Sequence, residues 1–200
     1  MAGAVEPQLS LPPLGERVQA LRKRAGLTLN DLAGRAGISA SAVSKIENGQ
    51  TSPTYETLLR LALGLGVDVA ELFGGAAESP VNGRRTITRA GQGAVQSTPQ
   101  YDYRMLCTEL ATKAFNPLLT KIRARSIAEF DGLQSHRGEE FFYVLDGEVE
   151  LHTEHYAPVR LGVGDSSYFD SAMGHALISV SAQEATVLWI ATRVHGVLER

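Results

Sequence analysis

Residues 27–49 read LTLNDLAGRAGISASAVSKIENG, and their spacing decides how the first part of the chain folds. Leu29, Leu32, Ala33 and Ala36 recur at helical intervals and form one apolar stripe. Gly37 follows at a point where only a residue tolerant of left-handed backbone turns the chain sharply. Ser39 is placed to cap a second helix, whose Val43 and Ile46 face back toward the first, and Ala33 is small where the two would cross. Two short helices joined by such a turn make a helix-turn-helix. The second helix leaves Ser39, Ala40, Ser41, Ser44 and Lys45 on its exposed face. Small polar side chains there permit close approach to base edges in a DNA major groove.

Working outward, Leu14, Val18, Leu21 and Ala25 predict a helix before this unit. Leu58, Leu61, Ala62 and Leu65 predict another after it, starting near Thr54. Thr28 with Asp31, and Asp68 with Glu71, are capping pairs that fix two helix starts, the first that of the helix bearing Leu29 and the second that of one more helix, giving five helices before Phe73. The stretch GGAAESPVNG, residues 74–83, has no period and the composition of a linker. The expected division is a tail at 1–13, a helical domain at 14–73, the linker, and a second domain at 84–200. In that second domain the period becomes strand-like, in RRTITR, YRMLCTEL, LLTKIRARSI, EFFYVLDGEVELHT, SSYFD, ALISV and ATVLWIATR. Asp146-Gly147 predicts a hairpin between two of these runs. The fold class is multidomain α plus β, with an antiparallel sandwich or barrel behind the helices.

The 200 residues are 44% hydrophobic and 20% charged, which excludes a disordered or fibrous chain. The longest apolar stretch, 58–73, is broken by Arg60, Asp68 and Glu71, so no membrane span is expected. The opening MAGAVEPQLSLPP lacks the features of a signal peptide, and Cys107 is the single cysteine. Both point to a reducing cytoplasm. The net charge of −3 argues against a surface that grips nucleic acid everywhere. Its distribution is uneven: between Leu14 and Arg60 seven basic residues face four acidic ones, whereas from Tyr101 onward nine face fourteen. A basic front and an acidic back suggest two parts with different partners.

In the second domain the chemistry concentrates in QSHRGEEFFYVLDGEVEL (134–151) and GVGDSSYFDSAMGHALIS (162–179). On a strand, His136 and Glu140 point to one face, and His175 from a later strand could join them. Two imidazoles and a carboxylate make a divalent-metal site with open positions. The plainer alternative is a polar pocket in which both histidines are hydrogen-bonded and Glu140 pairs with Arg123 or Arg125. Tyr101, Tyr103, Phe142 and Trp189 could line a ligand pocket with Gln134, or form ordinary core. RRTITR, 84–89, could touch phosphates or form a charged edge strand.

The helical part resembles the Xre/Cro/phage-repressor family, with a lambda-repressor-like helix-turn-helix fold. The resemblance rests on LRKRAGLTLNDLA, SAVSKIENGQTSPT and LLRLALGLGVDVAELF. It implies that Ser41, Ser44 and Lys45 meet bases or nearby phosphates and that Asn48, Gln50 and Thr51 approach the backbone of a double-stranded operator. It also implies that Arg22 and Glu47 form a structural ion pair. The second part resembles the cupin superfamily, a double-stranded β-helix barrel. His136, Glu140 and Gly147 match its first motif, with Gln134 at the usual first histidine. Gly164 and His175 match its second, with Asp170 and Ser179 in place of proline and asparagine. The combination resembles homodimeric bacterial transcription regulators whose barrel senses a small-molecule or metal effector, with Fe, Zn, Mn or Ni as candidate ions. The same order of domains occurs in hydroxypropylphosphonate epoxidase, which implies the alternative of a mononuclear non-haem iron oxidative enzyme.

Overall fold

The computed structural model describes residues 12–74 and 84–192; the expected tail up to residue 11, most of the linker and His195 lie outside the described residues. Four α-helices come first: α1 (Leu14–Arg24), α2 (Leu29–Ala36), α3 (Ala40–Glu47) and α4 (Tyr55–Leu65). The expected fifth is instead a single 3-10 turn, Val69–Phe73. Asp68 and Glu71 do form a capping box there, but the backbone bonds run three residues back, from the Glu71 amide to the Asp68 carbonyl and from the Gly74 amide to the Glu71 carbonyl, and Gly74 adopts left-handed backbone and ends the segment.

Local chemistry explains the other helix ends. Thr28 and Asp31 form the reciprocal capping box that opens α2. Ser39 accepts from the Ala42 amide at 3.1 Å to open α3, and Thr54 caps α4. Gly37 ends α2 with φ of 65°, the conformation a side chain would penalise, and so sets the turn between α2 and α3. Val18, Leu32, Val43, Ile46, Leu58 and Leu61 fill the space between the helices. Arg22 donates to both oxygens of Glu47, from Nε at 2.6 Å and Nη2 at 2.8 Å, and so ties the end of α1 to the end of α3.

The remaining residues form two antiparallel sheets. A six-stranded sheet has the order β1-β2-β3-β9-β4-β7, built from Ala94–Ser97, Tyr101–Met105, Phe115–Ile122, Ala185–Thr192, Glu139–Asp146 and Ser166–Asp170. A three-stranded sheet has the order β6-β5-β8, built from Val159–Leu161, Val149–Thr153 and His175–Ser179. Phe142, Val144, Val149, Leu177, Val187 and Trp189 are buried between them. The expected barrel is not closed by hydrogen bonds. Strand β7 pairs only with β4, and a cleft of about 860 Å³ lined by Leu151, Val159 and Phe169 opens between β7 and the β5-β6 edge.

Two other expectations change. Asp146-Gly147 is not a hairpin, because β4 and β5 belong to different sheets. It is a corner at which the chain passes from one sheet to the other. Gly147 has φ of 76°, and a Cβ there would lie 2.9 Å from the Ala185 Cα. RRTITR joins no ladder; Arg84 instead donates to the Ala111 and Thr112 carbonyls.

The two parts are packed together. Tyr55 on α4 lies 6.0 Å from Tyr103 on β2, Arg60 donates to the Ser135 carbonyl at 3.1 Å, and the Thr112 amide donates to Asp68 at 3.2 Å. Buried apolar residues of helices and strands form one connected cluster.

The Arg22–Glu47 pair is nearly removed from water, with side-chain exposures of 11% and 3%. Truncating one partner leaves the other charge uncompensated. Glu47→Ala is expected to lower the unfolding free energy by about 3–5 kcal/mol, read as a shift of the urea midpoint followed by circular dichroism.

Candidate metal centre and DNA-facing helix

His136, Glu140 and His175 come together, although by a different route from the one the strand period suggests. Glu140 is the second residue of β4, whereas His136 precedes the strand, in a segment held by its amide donating to the Ser171 carbonyl at 2.9 Å. His175 opens β8, fixed by a two-way backbone bridge to Gln134. The three side chains are 4%, 1% and 2% exposed.

One Glu140 oxygen lies 2.9 Å from His136 Nε2, and the other 3.3 Å from His175 Nε2. In the second contact neither atom has the alignment of a hydrogen bond, so Glu140 Oε2 and His175 Nε2 are buried without a hydrogen-bond partner. The opposite edge of each ring explains the direction it faces. His136 Nδ1 lies 3.0 Å from the Arg137 carbonyl and His175 Nδ1 lies 2.9 Å from the Met173 carbonyl. A carbonyl only accepts, so each Nδ1 carries the proton. In the neutral ring this turns the Nε2 lone pair toward Glu140. Two lone pairs and a carboxylate in one buried space require positive charge, from protons on the rings or from a cation.

The charges respond accordingly. Burial pushes the Glu140 carboxyl up, but the imidazoles of His136 and His175 outweigh it and hold it at about 2. For each histidine burial acts downward, and Glu140 reverses it to raise the ring above its ordinary value. Nε2 nitrogens held by backbone acceptors behind them, with a carboxylate between, fit a divalent ion. Arg123 and Arg125 do not reach Glu140: Arg123 pairs with Asp102 and Glu184, and Arg125 donates to Ser179 and to the Ser181 and Ala182 carbonyls.

Beside the centre is a cavity of about 270 Å³, lined among others by Glu56, Tyr101, Gln134, His175 and Trp189. Gln134 therefore belongs to its wall. Tyr103 and Phe142 do not: Tyr103 packs on Tyr101 at 5.4 Å and Phe142 on Trp189 at 5.9 Å, each one ring behind the lining. Glu56 is the residue that sequence reasoning missed. Its only sequence signal is a charge on the face of α4 that also carries Tyr55, Leu58, Leu59 and Ala62.

On α3 and the turn after it, Ser39, Ser41, Lys45, Asn48, Gln50 and Thr51 are exposed, and Ser44 is half-buried. Asn48 donates from its side chain to the Ser44 carbonyl at 2.9 Å, so it closes the helix at the same surface. Among the described residues no helix is long and apolar enough to cross a membrane.

A family model of helix-turn-helix domains matches residues 13–72, and one of cupin domains matches residues 128–191. The chain is 37% identical over 71 residues to the uncharacterized HTH-type transcriptional regulator y4dJ of Sinorhizobium fredii, covering 36% of this chain and 92% of that one. It is 25% identical over 174 residues to the HTH-type transcriptional regulator PuuR of Escherichia coli, covering 84% and 88%. Among solved structures, an HTH_3 family transcriptional regulator from Vibrio cholerae superposes with a TM-score of 0.62 at 20% identity, over 90% of this chain and 94% of that one. The HTH-type transcriptional regulator DdrOP3 of Deinococcus deserti and the uncharacterized HTH-type transcriptional regulator RghRB of Bacillus subtilis match over about a third of this chain, and the chain spans about half their length.

Trp189, the single tryptophan of the chain, lines the cavity together with His175. Co(II) added at one equivalent is expected to quench its emission. Stoichiometric uptake without a change in emission would locate the ion elsewhere.

Proposed function

Because the chain belongs to the helix-turn-helix family of transcriptional regulators and carries a cupin domain behind that unit, we propose that it is a DNA-binding transcription regulator whose barrel binds an effector. The observation that carries this reading is α3 itself. It is capped at Ser39, anchored from behind by Val43, Ile46 and the buried Arg22–Glu47 pair, and free of other elements on the face bearing Ser41 and Lys45. A helix held this rigidly on one side with small polar groups on the other suits insertion into a major groove. Ser41, Ser44 and Lys45 would meet bases or phosphates, and Ser39, Asn48, Gln50 and Thr51 the neighbouring backbone. A homodimer reading two half-sites in the cytoplasm would compensate for the small positive excess of one helical unit.

The barrel's effector would be a small molecule admitted to the cavity beside His175, a divalent metal, or both. A metal would be held by His136, Glu140 and His175, and would supply a positive charge with positions left open to a ligand. The donor set of imidazole and carboxylate accepts Fe, Zn, Mn or Ni. The alternative expectation of an iron-dependent oxidative enzyme rests on the same three side chains and on shared architecture, which does not carry a reaction.

Fluorescence anisotropy with the protein's own upstream DNA, against a scrambled duplex at fixed salt, tests this reading. Ser44→Ala is expected to weaken binding to the preferred duplex with the fold intact. Lys45→Ala is expected to weaken both duplexes and reduce the slope of log affinity against log salt by about 1. Equal binding of all three proteins to both duplexes would remove α3 as the recognition helix.

A further inference from the structure

Glu56 lies in the first turn of α4 and is 9% exposed, among Tyr55, Leu58 and Leu59, which are buried. Its carboxylate is at the wall of the cavity beside His175, where positive charge facing it would be favourable. Among the described residues its carboxylate takes part in no hydrogen bond or ion pair. What faces it is the metal centre of the other domain. One ligand atom from each of Glu56, His136 and His175 lies within 4.8 Å of the other two. Ligands bound at about 2.0–2.2 Å to one ion stand no more than about 4.4 Å apart, close to the spacing of these three atoms.

Gln134 stands where the resembled motif has its first histidine; its amide nitrogen donates to the Gly132 carbonyl at 3.2 Å, so it offers the site only a neutral amide oxygen, a weaker donor to a divalent ion than the Glu56 carboxylate beside it. We propose that Glu56 supplies the missing ligand, so that the helical domain completes the barrel's metal site. This rests on the reading of His136, Glu140 and His175 as metal ligands. Its consequence is regulatory: the ion is held fully only while α4 is seated on the strands. By linkage, loading the ion tightens that seating, and anything that loosens the seating weakens the ion.

The test uses the full chain titrated with Zn(II) against a chromophoric chelator, with hydrogen exchange followed at residues 53–60. The wild type is expected to bind one Zn(II) and gain protection in that segment. Glu56→Gln is expected to bind at least about tenfold more weakly and to lose the zinc-dependent protection. Glu56→His, which restores a donor, regains affinity with an altered Co(II) absorption spectrum, and it carries the test if the glutamine variant fails to fold. Wild-type affinity and protection in Glu56→Gln, with binding lost in Glu140→Gln, would overturn the role of Glu56 while leaving the three-residue centre standing. A wild-type chain that takes up no Zn(II) would overturn both.

Discussion

The arrangement of the molecule depends on the first two turns of α4, which belong to two cores at once. On one side the helix closes the helical bundle, where Gly64 lets its backbone approach Ala36 closely. On the other, Tyr55 enters the aromatic group of Tyr103 and Tyr101, and Arg60 holds the carbonyl of Ser135, the residue before His136. The Pro53 carbonyl, just ahead of the helix, lies 3.5 Å from the Gln96 amide nitrogen. The helical unit is therefore positioned by direct packing on the strands rather than only by the segment that joins them. Through α4 and its packing on α2, the strands are in continuous apolar contact with the unit that carries α3.

The second organising constraint is electrostatic. Glu140 is among the largest fully buried side chains of the protein, in a place where an apolar residue of similar size would fill space without a charge. Its burial is tolerated because two imidazoles face it. The same low-polarity surroundings, with Phe169 4.9 Å from His175, strengthen every charge that enters. Such a centre favours an occupant that neutralises it, and its occupancy would be felt by the adjoining cavity wall at Tyr101 and Trp189.

The sequence read most clearly where structure is local. The capping boxes at Thr28 and Asp68 and the turn at Gly37 depend on residues whose roles follow from spacing, whereas the Arg22–Glu47 pair, 25 residues apart, was expected only from the family resemblance. The convergence of His136, Glu140 and His175 was also legible, although His136 sits ahead of β4 rather than on it. Illegible were the features set by distant packing. Asp146-Gly147 carries the chemistry of a hairpin turn, and only the choice of sheet partners makes it a corner. Tyr103 and Phe142 have the composition of a pocket lining, but ring stacking places them behind it. Glu56 was invisible because its significance arises entirely from the docking of one domain on the other.

The acceptors behind the two histidines are main-chain oxygens, those of Arg137 and Met173. No substitution at either position deletes them, since every residue contributes the same carbonyl. The orientation of the rings is thus insulated from side-chain drift in the flanking loops. The exposed position 137 can therefore change in size and charge, and so reshape what the centre meets, while the imidazoles keep their direction; position 173 is held instead by the packing of Met173 against the apolar core.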